Sequence, residues 1–81
     1  MGTLAEGGEE YLLDATGMLC PLPVLKARKA LKSIEAGDRL VILATDPGAV
    51  ADFQSFCEAQ GHSLLGWNET DGEYRFEIQK S

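Results

Sequence analysis

Histidine and cysteine are scarce in this 81-residue chain: His62 is the single histidine, and Cys20 and Cys57 stand far apart with no Cys-x-x-Cys pair. The usual cysteine-histidine zinc sets therefore cannot be assembled. Long apolar runs are missing too. None approaches the ~18 residues that a membrane span needs, so no membrane partner is expected. The start of the chain, Met1 to Glu6, has neither a basic n-region nor an apolar h-region, and Glu6 stands where a myristoylation motif wants Ser or Thr. The expected location is the cytosol, whose reducing conditions also argue against a structural disulfide. Basic residues are outnumbered. Thirteen acidic against seven basic side chains give a formal charge of −6, which argues against tight, charge-driven nucleic-acid binding by the isolated domain.

What is present is an ordinary folding composition, 44% hydrophobic and 25% charged. The length suits one domain, and a domain of this size buries only about 60–65% of its unfolded surface, so a large internal cavity is not expected. Residues 1–10, with Gly2, Gly7, Gly8 and three glutamates, read as a flexible tail, and a single domain is expected over 11–81.

Hydrophobic patterning supplies the elements. Tyr11 to Asp14 reads as a short strand, followed by a turn at Ala15-Thr16-Gly17. Val24, Ala27, Ala30, Leu31 and Ile34 share one side of a helical wheel, and Gly37 is expected to end that helix. Arg39 to Thr45 is a continuous aliphatic run, the mark of a central strand. Asp46-Pro47 offers a cap followed by proline at the first position of a second helix, whose inner stripe is Ala49, Val50, Phe53, Phe56 and Cys57 and whose C-cap is Gly61. Asp71-Gly72 signals a type I′ hairpin that pairs Trp67 with Phe76 and Leu65 with Ile78, with Tyr74 on the same face. The opposite face carries Glu73, Arg75 and Glu77. The order is βαβαββ, and right-handed crossovers would give an α/β two-layer sandwich, two helices on one face of a four-stranded mixed sheet.

Cys20-Pro21-Leu22-Pro23 joins a thiol to a helix start. The residue before a proline is pushed into extended geometry, which suits Cys20 as N-cap, and Pro21 fits the first helical position. With Pro21 and Pro23 lacking amide hydrogens, the N–H groups of Leu22 and Val24 are expected to point toward the sulfur. Helix-end electrostatics of about 0.3–1 kcal/mol, less than one pKa unit, would lower the thiol's pKa modestly and raise its thiolate fraction. No second histidine or nearby cysteine is available as base or resolving thiol, so carriage of a group on Cys20 fits better than multistep catalysis. The plainer alternative is a helix start with a buried, inert cysteine, Leu19 and Leu22 packing beside it. Cys57, inside an apolar stripe, is expected to be buried; a reactive Cys57 would raise a rival Cys20-Cys57 disulfide switch.

Lys26, Arg28, Lys29 and Lys32 are four of the seven basic residues and fall on one helix opposite its apolar stripe, with Leu25 among them. They are expected either to dock acidic partners or simply to keep the helix solvated. A capping role accounts for Asp46, a turn position for His62, and a place in the core for Trp67, Tyr74 and Phe76, rather than an RNA-stacking platform.

With Leu13-Asp14-Ala15-Thr16-Gly17, Cys20-Pro21-Leu22-Pro23, Asp46-Pro47 and Phe56-Cys57 in order, the chain resembles the TusA/SirA sulfur-carrier family over nearly everything after the tail. The resemblance implies the same sandwich and a Cys20 that takes sulfur from a cysteine desulfurase or rhodanese-like donor and passes it, as a persulfide, to a downstream sulfur-relay protein. It brings no metal and no organic cofactor, and a monomer is expected. In that family the sulfur can end on the wobble uridine of tRNA, or serve sulfur oxidation, molybdenum cofactor assembly or sulfur uptake. Leu22 is apolar where the tRNA-thiolating type tends to have an acidic residue. The alternative function is a regulatory or RNA-contacting module that shares the fold without sulfur transfer.

Overall fold

A computed structural model describes residues 8–81. Six elements follow in the order β1 (Glu10–Ala15), α1 (Leu22–Leu31), β2 (Arg39–Ala44), α2 (Ala49–Gln60), β3 (Ser63–Thr70) and β4 (Glu73–Gln79). The sheet order is β1-β2-β4-β3, with β1 parallel to β2 and β4 antiparallel to both neighbours. This is the expected βαβαββ sandwich. Ala27 and Leu31 of α1 share one core with Ala49, Phe53 and Cys57 of α2 and with Leu40, Ile42, Ala44, Phe76 and Ile78 of the sheet. At its centre the Phe53 and Phe76 rings lie 4.6 Å apart at 36°.

The aliphatic run of β2 makes sense at this interior position. Leu40, Ile42 and Ala44 alternate toward the helices, and Val41, of opposite parity, is still only 2% exposed. Parallel pairing of β1 with β2 sets their C-terminal ends at one edge of the sheet, where both strands lead into helices, and this edge carries the site described below. The hairpin also forms as expected: Asp71 and Gly72 have positive φ of 52° and 82°, and Trp67 pairs with Phe76.

Four expectations need correction. Helix α1 stops at Leu31, short of Gly37, and Ile34 packs against the core from the connection that follows. Leu64, not Leu65, pairs with Ile78, because a bulge between Leu64 and Gly66 shifts the register and leaves Leu65 half exposed. Trp67 is 43% exposed rather than core, since β3 is an edge strand with β4 as its one neighbour; its ring sits 6.3 Å from those of Tyr74 and Phe76. Residues 1–7 of the expected tail lie outside the described residues, whereas Glu10 already belongs to β1 and Glu9 is tied down by two backbone bonds.

The Glu9 carbonyl accepts the Arg39 N–H, and the Glu9 N–H donates to Asp38, the one buried charged residue among those described. Its carboxylate accepts the N–H groups of Glu9 at 2.8 Å and Glu35 at 2.9 Å, and these bonds hold its pKa below the ordinary carboxylate value. A depressed folded pKa contributes stability above the unfolded value near 3.9, and that contribution is lost as pH falls through the lower folded value. The urea midpoint is therefore expected to drop between about pH 5 and pH 3, and Asp38→Asn is expected to flatten part of that dependence. An Asp38→Asn profile parallel to the wild type would contradict this.

Candidate functional site

Three segments converge at the C-terminal edge of β1 and β2. After β1, Asp14 accepts both the N–H and the hydroxyl of Thr16, at 3.0 and 2.7 Å, and fixes the turn. Gly17, with a φ of 80° that favours glycine, donates its N–H to Thr45 Oγ1 at 2.8 Å. Asp46 then ties the two loops together. One carboxylate oxygen accepts the Cys20 N–H at 2.6 Å and the other accepts the Gly48 N–H at 3.0 Å. These two bonds hold its pKa below the usual range. Asp46 is thus not the formal N-cap of α2, which is Gly48; it closes the turn before the helix while its other oxygen holds the cysteine loop.

Cys20 is exposed and precedes the helix cap rather than occupying it: Pro21 is the N-cap, Leu22 the first helical residue, and Pro23, buried, the second. The Cys20-Pro21 bond is cis. The Leu22 N–H bonds to the Leu19 carbonyl at 2.8 Å, so it is not aimed at the sulfur as expected. Instead the Cys20 thiol donates to Asp52 Oδ2, in the first turn of α2. The Gly48 backbone lies alongside: a methyl built there would sit 3.7 Å from Cys20 Cβ and 3.9 Å from Sγ.

This placement reverses the expected electrostatics. The hydrogen bond to Asp52, then desolvation, then the charges of Asp52 and Asp46 push the Cys20 thiol up to about 11. Two nearby carboxylates outweigh one helix end worth about 0.3–1 kcal/mol. Asp52 escaped the sequence because it lies on another helix, 32 positions downstream; the available clue was an acidic residue in the first turn of the helix after Asp46-Pro47, which itself follows the strand that pairs in parallel with β1.

Cys57 is buried at 3% exposure on the inner side of α2, and burial pushes its thiol up to about 11. The rival disulfide switch would have to draw that sulfur out of the core. Leu19 and Leu22 are not buried beside the motif; they are 73% and 50% exposed, and Leu25, about one helical turn on, is 50% exposed as well, so exposed apolar side chains flank the cysteine loop. Lys26, Arg28, Lys29 and Lys32 are all exposed, and among the described residues none joins a salt bridge. Their surroundings differ. Arg28 and Lys32 line a cleft of about 140 Å3 with Leu31, Phe56, Gln60, His62 and Lys80, whereas Lys26 is close enough to Asp14 to stabilise its charge. His62 accepts the Ser81 N–H at 3.1 Å. Among the described residues no group of three His, Cys, Asp or Glu side chains could hold a metal ion, and no helix is long and apolar enough to cross a membrane.

Against known proteins, the family described as Sulfurtransferase TusA matches residues 11–80. A protein of Neisseria meningitidis serogroup A, described as a candidate sulfur carrier, is 51% identical over 67 residues, covering 83% of this chain and 90% of its own. The sulfur carrier protein TusA of Allochromatium vinosum is 45% identical over 69 residues, covering 85% and 91%. Among solved structures, a SirA-like protein of Desulfitobacterium hafniense superimposes with a TM-score of 0.75 at 31% identity, covering 85% of this chain and 95% of that one.

Proposed function

Since the chain belongs to the TusA sulfurtransferase family, we propose that it accepts sulfane sulfur as a persulfide on Cys20 and relays it to an acceptor protein. The observation that carries this reading is the placement of Cys20: of two thiols, it alone is exposed, on a loop pinned by Asp46 where two strand-to-helix connections meet. Donors of the fitting chemistry are a cysteine desulfurase or a rhodanese-like protein, each of which presents a sulfane sulfur. The Cys20 thiolate attacks the outer sulfur of the donor persulfide; the donor's S–S bond breaks and its inner sulfur leaves with the electron pair and takes up a proton. No net oxidation occurs. The same exchange, with Cys20 as the leaving thiol, delivers the sulfur to a downstream relay protein, as in tRNA 2-thiouridine synthesis or another sulfur-trafficking route. Asp46, Pro21 and Pro23 support this role by holding the loop rather than by touching the cargo.

Incubation with a cysteine desulfurase and cysteine is expected to raise the intact mass by one sulfur atom, reversibly with reductant; no gain from desulfurase, rhodanese or small-molecule persulfide would reject the proposal.

Docking is assigned to the apolar Leu19, Leu22 and Leu25 surface and the Lys26 and Lys29 ammonium groups on the same helix, a pattern of apolar centre and charged rim. Charge reversal at Lys26→Glu and Lys29→Glu is expected to slow loading from the desulfurase about tenfold or more at low salt, through the association rate, with the urea midpoint nearly unchanged. Loading kinetics identical to wild type would remove the docking role.

A further inference from the structure

A carboxylate that accepts a hydrogen bond from the thiol is a poor neighbour for a sulfur that must become an anion, and the site contains two. Asp52 reaches Cys20 Sγ from α2, and Asp46 reaches the Cys20 N–H from the loop before it. From α1 no counter-charge is supplied: its first turn holds no acidic or basic group before Lys26, and among the described residues Asp52 joins no ion pair. The thiol is thus exposed to solvent yet held in the form that does not attack disulfides or persulfides.

We propose that Asp52 is the specificity-determining residue of the site: its carboxylate keeps Cys20 as S–H in the free protein, and it yields only to a donor that brings a cationic side chain against that carboxylate. This rests on the persulfide role proposed for Cys20. When the donor's cation pairs with Asp52, the acceptor of the S–H bond is withdrawn and its charge neutralised. The thiol proton leaves to solvent, and the thiolate attacks the outer sulfur of the donor's hydropersulfide. The donor's S–S bond breaks, the electron pair goes to its inner sulfur, and that sulfur takes a proton. Small disulfides and persulfides that carry no such cation meet a protonated thiol and react slowly. The thiol's elevation to about 11, with the Asp52 hydrogen bond as its largest cause, agrees in direction with this geometry.

The test compares the full chain with Asp52→Asn, which keeps the shape, and Asp52→Ala, with Cys20→Ser as the blank. Ionisation of Cys20 is followed by thiolate absorbance, and its rate is measured with an uncharged dipyridyl disulfide at pH 7.5. In both Asp52 variants the pKa is expected to fall from about 11 toward 9. Each unit raises the thiolate fraction tenfold, and a Brønsted coefficient of ~0.4–0.5 takes back roughly half of that on a logarithmic scale, so the probe rate should rise about three- to tenfold. Loading by an uncharged alkyl hydropersulfide should rise by the same factor, whereas loading by a cysteine desulfurase with cysteine should not, so the ratio of desulfurase to small-molecule loading falls at least threefold.

Equal ionisation and equal probe rates in the wild type and both variants would overturn the proposal. So would an unchanged ratio, which removes the cationic donor. The underlying carrier role fails separately: Cys20 would then react with the probe but gain no sulfur from any donor in any variant.

Discussion

Cys20→Ser is expected to abolish sulfur loading outright while leaving the denaturation midpoint where it stands. The hydroxyl is close in shape and can still donate to Asp52, and the Cys20 N–H bond to Asp46 is a backbone interaction untouched by the change. The side chain is exposed, so no core packing is lost. What disappears is the chemistry: a serine hydroxyl is not appreciably ionised at neutral pH and forms no persulfide. Cys57 cannot compensate, because its sulfur is sealed within the helix-sheet layer and its thiol pushed up to about 11 by burial. Intact mass before and after exposure to a persulfide donor reads the outcome, and residual loading of Cys20→Ser above a few per cent of wild type would move the cargo site elsewhere.

Phe53→Ala is expected to have the largest effect on stability. Phe53 is fully buried on the inner face of α2, and its ring packs on Phe76 of β4, so truncation removes an aromatic contact between the second helix and the sheet at the centre of the core. Phenylalanine-to-alanine changes in cores cost about 3–5 kcal/mol. A chain of this length has on the order of 4–12 kcal/mol in total, so the loss is a large fraction of its stability and reaches the unfolding midpoint at the low end of that range. Its melting temperature is expected to fall by on the order of 20 °C. The functional edge should suffer with it, because Asp52 adjoins Phe53 on the same helix and meets Cys20 only while α2 stays docked. A thermal shift of only a few degrees would mean that the layer is held mainly by other contacts.

The fold was legible where local patterning and topology agree. The alternation of Leu40, Ile42 and Ala44, the helical stripe of Ala49, Phe53 and Cys57, and the Asp71-Gly72 turn each specify an element without reference to the rest of the chain. The bulge beside Leu65 was not legible, since the extra residue interrupts a pattern of alternating side chains that still looks regular in sequence. Trp67 was misplaced for a related reason: its pairing with Phe76 came out correctly, but pairing fixes register and not whether an edge strand is covered.

At the site, the Cys20 and Asp46 positions were visible because each adjoins a proline at a strand-to-helix junction. Their hydrogen bond was not, since it depends on parallel pairing that brings the two junctions side by side. The same blindness hid Asp52. A reading confined to the cysteine motif sees one helix end and infers a lowered thiol pKa; the neighbouring loop and helix add two carboxylates and reverse the sign. The local motif points to the proposed atom, and the tertiary structure determines its protonation.

The most direct measurement is the location of the transferred sulfur. The chain, loaded by a cysteine desulfurase with cysteine and digested without reductant, should yield the added sulfur on the peptide containing Cys20 and none on the peptide containing Cys57. Sulfur on the Cys57 peptide, or a loaded donor that leaves both peptides unmodified, would contradict the assignment of Cys20 as the carrier atom.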